Sequence, residues 1–165
     1  MDDILILSAK RTPIGAFNGS LASYTAPQLG AKAIAAAVAA AGVGPADVSE
    51  VVMGNVVSAG IGQAPARQAM IGAGIPVATG ATTVNKVCGS GMKAVMMSCQ
   101  SIALGDSSVA VAGGMEAMSK VPFLLDKARS GYRLGHGKLI DAIIHDGLWD
   151  PYKDVHMGNC GEMCA

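Results

Sequence analysis

The sequence predicts a layered α/β fold. Three observations carry that expectation: short β-branched runs alternate with helical patterns over residues 4–114, an alanine-rich stretch opens on a helix-capping signal, and the composition is that of a well-buried core. Hydrophobic residues make up 51%, mean hydropathy is +0.42, and 22 glycines serve tight turns and close backbone approaches. At 165 residues the chain suffices for one domain with a substantial core and is too short for two large ones.

The elements follow in order. ILILSAK (4–10) is an apolar run that reads as a buried strand, and RTPIG after it as a turn. Thr25 and Gln28 form a Thr-x-x-Gln capping box with Pro27 in the first turn, so a helix is expected to Ala41, stopping at Gly42. Its only charge is Lys32, which predicts burial around most of its circumference. VVMGNVV (51–57) is the next strand, and SAGIGQAPARQA leads into a short helix near 65–72. TTVNKV (82–87) is a third extended run. From Cys88 onward Met92, Val95, Met96, Cys99 and Ile102 recur at helical spacing until Gly105, and SVAVAGG (108–114) is the last strand.

At about Ser119 the character changes. The charged residues divide evenly between 1–118 and the much shorter 119–165, which also carries all 3 histidines. A boundary is therefore placed near 118, between a compact core and a more polar excursion.

Charge excludes some function classes. Lysine plus arginine number 12 and aspartate plus glutamate 12, leaving no basic excess to attract nucleic acid or an anionic membrane. The uncharged run 68–85 is broken by Gly72, Gly74, Pro76 and Gly80, unlike a membrane span. The opening MDDILILSAKR is acidic where a targeting peptide is basic, so a cytoplasmic protein is expected. Cys88, Cys99, Cys160 and Cys164 lack the spacing of a disulfide framework and are expected as free thiols.

The stretch VNKVCGSGMKAV (84–95) raises the functional question, because it sets one cysteine between an extended run and a helix. Unpaired backbone N–H groups and the helix dipole there favour a thiolate, which is the nucleophile. Gly89 and Gly91 are expected to leave room beside the sulfur for a substrate carbonyl and its oxyanion. Plain core packing of Cys88 is the competing reading. GSGMKA (89–94) also fits G-x-G-x-x-A, with Glu116 about 20 residues on, as in a dinucleotide-binding unit. Residue chemistry leaves these readings open.

Five blocks in order carry a resemblance: SAKRTPIGAFNGSL (8–21), VVMGNVVSAGIGQAPARQA (51–69), VNKVCGSGMKAV (84–95), GGMEAMS (113–119) and DGLWDPYKDVHMGNCGEMCA (146–165). Together they make the chain, from residue 3 to residue 165, resemble the N-terminal part of a thiolase of the acetyl-CoA C-acetyltransferase type. The resemblance implies the thiolase fold, layered αβαβα, with the helix that begins at Cys88 buried at its centre. It makes 1–118 the N-terminal domain core and 119–165 the start of the loop domain that covers coenzyme A. It assigns Cys88 as the residue that takes the acetyl group, which removes the nucleotide reading. Leu148, His156 and Met157 match positions lining the pantetheine and acyl pocket.

Taken alone, Leu148 reads as packing and His156 as a surface histidine; only the whole HMGNCGE block argues otherwise. His156, Cys160 and Cys164 share a helical spacing but lack a fourth metal ligand, so no metal is assigned and the two cysteines are expected to pack as small hydrophobes. Asn55, Gln63 and Arg67 are read as loop-shaping or subunit-contact residues.

The implied reaction is a reversible Claisen condensation of two acetyl-CoA to acetoacetyl-CoA and coenzyme A through an acetyl-cysteine intermediate. Coenzyme A thioesters are then the substrates, no separate cofactor is needed, and a homo-oligomer is expected. In thiolases the activating histidine and the second, proton-exchanging cysteine lie in GHP and C-x-G type motifs, and neither motif occurs in this sequence. A fragment or truncated product, inactive by itself, is therefore expected. The alternatives are a 3-ketoacyl-CoA thiolase of fatty-acid degradation and a truncated, non-catalytic binding chain.

Overall fold

The computed structural model describes residues 3–165. Helix α1 (Ala26–Ala41) begins where the capping box placed it: the Thr25 N–H donates to Gln28 Oε1 at 2.9 Å and the Gln28 N–H to Thr25 Oγ1 at 3.4 Å. Gly42 ends it in the left-handed conformation at φ 68°. Strand β1 (Glu50–Gly54), helix α2 (Pro65–Gly72), strand β2 (Gly80–Val84), helix α3 (Ser90–Leu104) and strand β3 (Ala110–Gly114) follow. The strands form one parallel sheet in the order β2-β1-β3, with Val51 opposite both Ala81 and Val111.

Period-two alternation along β1 divides the molecule into layers. Val51 and Met53 enter the main core with Ala26, Ile34 and Val38 of α1 and Ala66, Ala69 and Met70 of α2. Val52 and Gly54 face the other side, where α3 lies. Helices thus cover both faces of a parallel sheet, as expected of such sheets.

Three expectations are corrected. Residues 4–10 form no strand: Leu5 and Ile6 are 73% and 84% exposed, and the segment is anchored by the Ser8 Oγ donating to Ala37 O at 2.7 Å. An apolar run reports strand propensity, whereas a strand requires a neighbour for its backbone groups, and no described residue supplies one. Helix α1 buries only the stripe Ala26, Pro27, Gly30, Ala31, Ile34 and Val38, since alanine suits an exposed helical surface as well as a buried one. Helix α3 begins at Ser90, two residues after Cys88, and is not enclosed: it rests on the sheet through Ser90, Ala94 and Ser98, while Met92, Val95 and Met96 are exposed.

Beyond Ser119 the elements are short. Strands β4 (Phe123–Leu124) and β5 (Ile140–Asp141) pair antiparallel, a π-helical turn covers Ile143–Leu148, and β6 (Trp149–Asp150) pairs with β7 (Val155–His156) before helix α4 (Met157–Cys164). All four cysteines are free; Cys160 is half-buried and Cys164 exposed, so the latter does not pack as a small hydrophobe. The reason is local, because α4 buries none of its residues. No described helix is long and apolar enough to cross a membrane.

Candidate active site

Cys88 sits on a sharp turn between β2 and α3, and its side chain is exposed. Asn85 starts the turn by accepting the Val87 N–H on Oδ1 at 2.9 Å. The Gly89 N–H donates to Lys86 O at 3.1 Å. Ser90, 4% exposed, locks the turn from beneath: its Oγ donates to Val87 O at 2.6 Å and accepts the Lys86 N–H at 2.8 Å. Between these anchors Val87 is held at φ 48°, a left-handed conformation that a β-branched residue adopts at a cost of about 1–3 kcal/mol. The kink lifts the next residue, Cys88, out of the strand direction.

Gly89 is the N-cap of α3 and makes no side-chain cap bond. The helix start thus lacks the side-chain acceptor that Thr25 gives α1, and its Gly89 and Ser90 N–H groups donate instead to Lys86 O at 3.1 Å and Val87 O at 3.0 Å. A Cβ added at Gly89 would make ordinary van der Waals contact with Lys86 O at 3.4 Å. Gly91 instead faces the sheet, where an added Cβ would lie 3.7 Å from Gly114 N. The room expected from Gly91 beside the sulfur is in fact room for β3. Close approach continues at Gly54, where an added Cβ would lie 2.6 Å from Ser90 Cβ and 2.7 Å from Ser90 C.

Behind the turn, the segment after β1 is clamped by Glu116. Its carboxylate accepts from Asn55 Nδ2 at 2.8 Å, from the Val56 N–H at 2.9 Å and from the Val57 N–H at 3.4 Å. Burial pushes its pKa up, and these hydrogen bonds oppose the shift. Engaged in this way, Glu116 serves the β1 loop and not a ribose, against the dinucleotide reading of GSGMKA. Asn55 is 2% exposed and also donates to Met115 O at 3.2 Å, leaving its Oδ1 without a partner among the described residues. Arg67 shapes a neighbouring loop by donating to Val77 O at 2.8 Å and Thr79 O at 3.4 Å. Gln63 contributes its carbonyl oxygen, which accepts from Gln68 Nε2 at 2.7 Å.

The remaining candidates gather at the β6–β7 pair. Leu148 immediately precedes β6, His156 lies opposite Trp149, and Met157 opens α4. His156 is the N-cap of that helix, with Nδ1 accepting the Gly158 N–H at 3.0 Å. Leu148 also lines a cavity of about 660 Å³, walled by Ile14, Phe17, Leu21, Glu116 and Ile143 among others. Cys88, His156 and Met157 do not line that cavity. Sequence reasoning missed the support given by Ser90 and Asn85; the only signal was the polar interruption at Asn85 and Lys86 in an otherwise β-branched run.

Comparison with known proteins agrees with this geometry. Residues 4–165 match the family model described as Thiolase, N-terminal domain. Acetyl-CoA acetyltransferase 2 of Arabidopsis thaliana is 59% identical over 163 residues, which cover 99% of this chain and 40% of the relative. The acetyl-CoA acetyltransferase of Cupriavidus necator is 54% identical over 165 residues, covering 100% of this chain and 42% of the relative. The chain thus spans about two fifths of the length of these curated relatives. The crystal structure of Acat5 thiolase from Ascaris suum in complex with coenzyme A superimposes with a TM-score of 0.92 at 40% identity, over 96% of this chain and 41% of that one.

Proposed function

The chain belongs to the thiolase family, as an N-terminal domain, and from that premise we propose that Cys88 is the acyl-accepting nucleophile of an acetyl-CoA C-acetyltransferase. The observation that carries the reading is the exposed thiol on a strained turn, beside a helix start that no side chain caps. The Cys88 thiolate attacks the thioester carbonyl of acetyl-CoA, the tetrahedral oxyanion collapses, and coenzyme A leaves as its thiolate and takes a proton. A second acetyl-CoA gives up an α proton to a base, and the resulting enolate attacks the acetyl-cysteine. Acetoacetyl-CoA forms and the Cys88 thiolate is released.

Acetyl-CoA, acetoacetyl-CoA and coenzyme A are the partners this reading names, supported by the names of the relatives and by the coenzyme A bound to the Ascaris thiolase. The thioesters are substrates, and the chemistry calls for no further cofactor. Leu148, His156 and Met157 are assigned to the coenzyme A side of the site, supported by their clustering at the β6–β7 pair. The exposed apolar residues Phe123, Leu125 and Leu134 suit a homo-oligomer. The proton-transfer roles fall to no residue of this chain, so the 165 residues by themselves are proposed not to turn over.

Intact mass after incubation with acetyl-CoA tests the assignment. One added acetyl group, absent in Cys88→Ala, is the expected result. An adduct that persists in Cys88→Ala, or one that sits on another residue of the wild-type protein, refutes it.

A further inference from the structure

We propose that Glu116 is a positioning residue for Cys88, holding the segment after β1 against the cysteine-bearing turn through a continuous run of hydrogen bonds. The proposal rests on Cys88 being the acyl acceptor.

The run begins at the carboxylate. Asn55 Nδ2 and the Val56 and Val57 N–H groups converge on it, three donors that an ionised carboxylate, which only accepts, satisfies together. Two contacts then cross to the turn. The Asn55 N–H donates to Val84 O at 3.1 Å, and Asn85 Nδ2 donates to Val56 O at 3.4 Å. Asn85 Oδ1 in turn accepts the Val87 N–H, and Val87 is the strained residue that delivers the chain to Cys88. Glu116 reaches the β1 loop across about 60 residues of sequence, and that loop is the intermediate to the turn.

Three features show that this arrangement is held for geometry and not for stability. The carboxylate is partly buried, which disfavours its charge. The Asn55 amide, oriented to donate to both Met115 O and Glu116, leaves its buried Oδ1 unpaired among the described residues. Val87 stays left-handed although it carries a β-branched side chain. Each feature opposes folding, and all three lie along one path that ends at the residue before the thiol.

Alkylation by iodoacetamide tests this, because the reagent needs no acyl donor or proton-transfer partner. Rates at Cys88 and Cys164, both exposed, are read from the same sample, so that Cys164 reports any global change. Glu116→Gln keeps the shape but turns one acceptor into a donor. Asn85→Ala, at an exposed position, breaks the run at its far end. Each is expected to slow Cys88 relative to Cys164 by about tenfold. The double variant should be no slower than the slower single variant, since both cut one path. Glu116→Asp, which restores an acceptor-only group, should recover part of the loss.

An unchanged Cys88 to Cys164 ratio in folded Glu116→Gln overturns the proposal, as do rates that multiply in the double variant. Should Glu116→Gln not fold, an Asn85→Ala protein with the wild-type ratio overturns it equally. Failure of the nucleophile assignment appears separately, as an acetyl adduct that persists in Cys88→Ala.

Discussion

Adding one methyl group at Gly54 probes how the turn that carries Cys88 is seated. In Gly54→Ala the new Cβ would lie 2.6 Å from Ser90 Cβ, 2.7 Å from Ser90 C and 2.9 Å from Gly91 N. Two of these are backbone atoms of α3 and cannot swing aside. Carbon atoms settle at about 3.5–4.0 Å, so the helix start has to retreat by roughly 1 Å. Ser90 moves with it, straining the bonds its Oγ makes at 2.6 Å and 2.8 Å to the turn. Overpacking of this kind costs about 1–3 kcal/mol and each of the two weakened hydrogen bonds about 0.5–1.5 kcal/mol, giving roughly 2–6 kcal/mol in all. At about 2–4 °C per kcal/mol for a domain of this size, Tm falls by roughly 4–24 °C. Gly80→Ala is the control, because a Cβ at Gly80 meets nothing within 4 Å. Thermal unfolding of the two variants side by side decides the matter. A Gly54→Ala protein that melts with Gly80→Ala refutes the claim that backbone contact seats α3.

Val87→Gly relieves the left-handed strain at φ 48° while making the unfolded chain more flexible, so urea unfolding should show stability unchanged or raised by up to about 1 kcal/mol. A loss beyond that range contradicts the strain. The raised pKa of Glu116 carries a pH dependence of definite sign. Its folded value lies above the ordinary 4.5, so at pH between the two the folded state binds more protons than the unfolded state. Stability contributed by this group is therefore greatest below 4.5 and declines as pH rises through the folded value. Subtracting the pH–stability curve of Glu116→Gln from that of the wild type should isolate this decline, and a difference that rises with pH over the same window reverses the assignment of burial as the main cause.

What was legible in the sequence was local. The capping box at Thr25 and Gln28 lies within four residues, so α1 could be bounded before any packing was known. The strand–helix alternation through 51–114 was equally plain, and so was the siting of Cys88 at a strand-to-helix junction. Residues 4–10 misled because strand formation depends on a partner that no local pattern reveals. The start of α3 was displaced by two residues because the bonds of Asn85 and Ser90 turn 85–89 into a separate structure. Glu116 was noticed for its spacing from a glycine motif, whereas its partners lie about 60 residues earlier, a distance over which no sequence period operates. Chemistry that depends on one residue could be read, and chemistry that depends on long-range contact could not.

The glycine contacts beneath Cys88 bear on how such a protein can diversify. Gly54 admits no methyl group under Ser90, and Gly91 and Gly114 approach backbone to backbone, with a Cβ on Gly114 falling 3.4 Å from Gly91 Cα. A floor made of main chain offers no rotamers to adjust and no gradual series of larger side chains. Variation that leaves the seat of Cys88 intact is therefore confined to side-chain positions outside this floor.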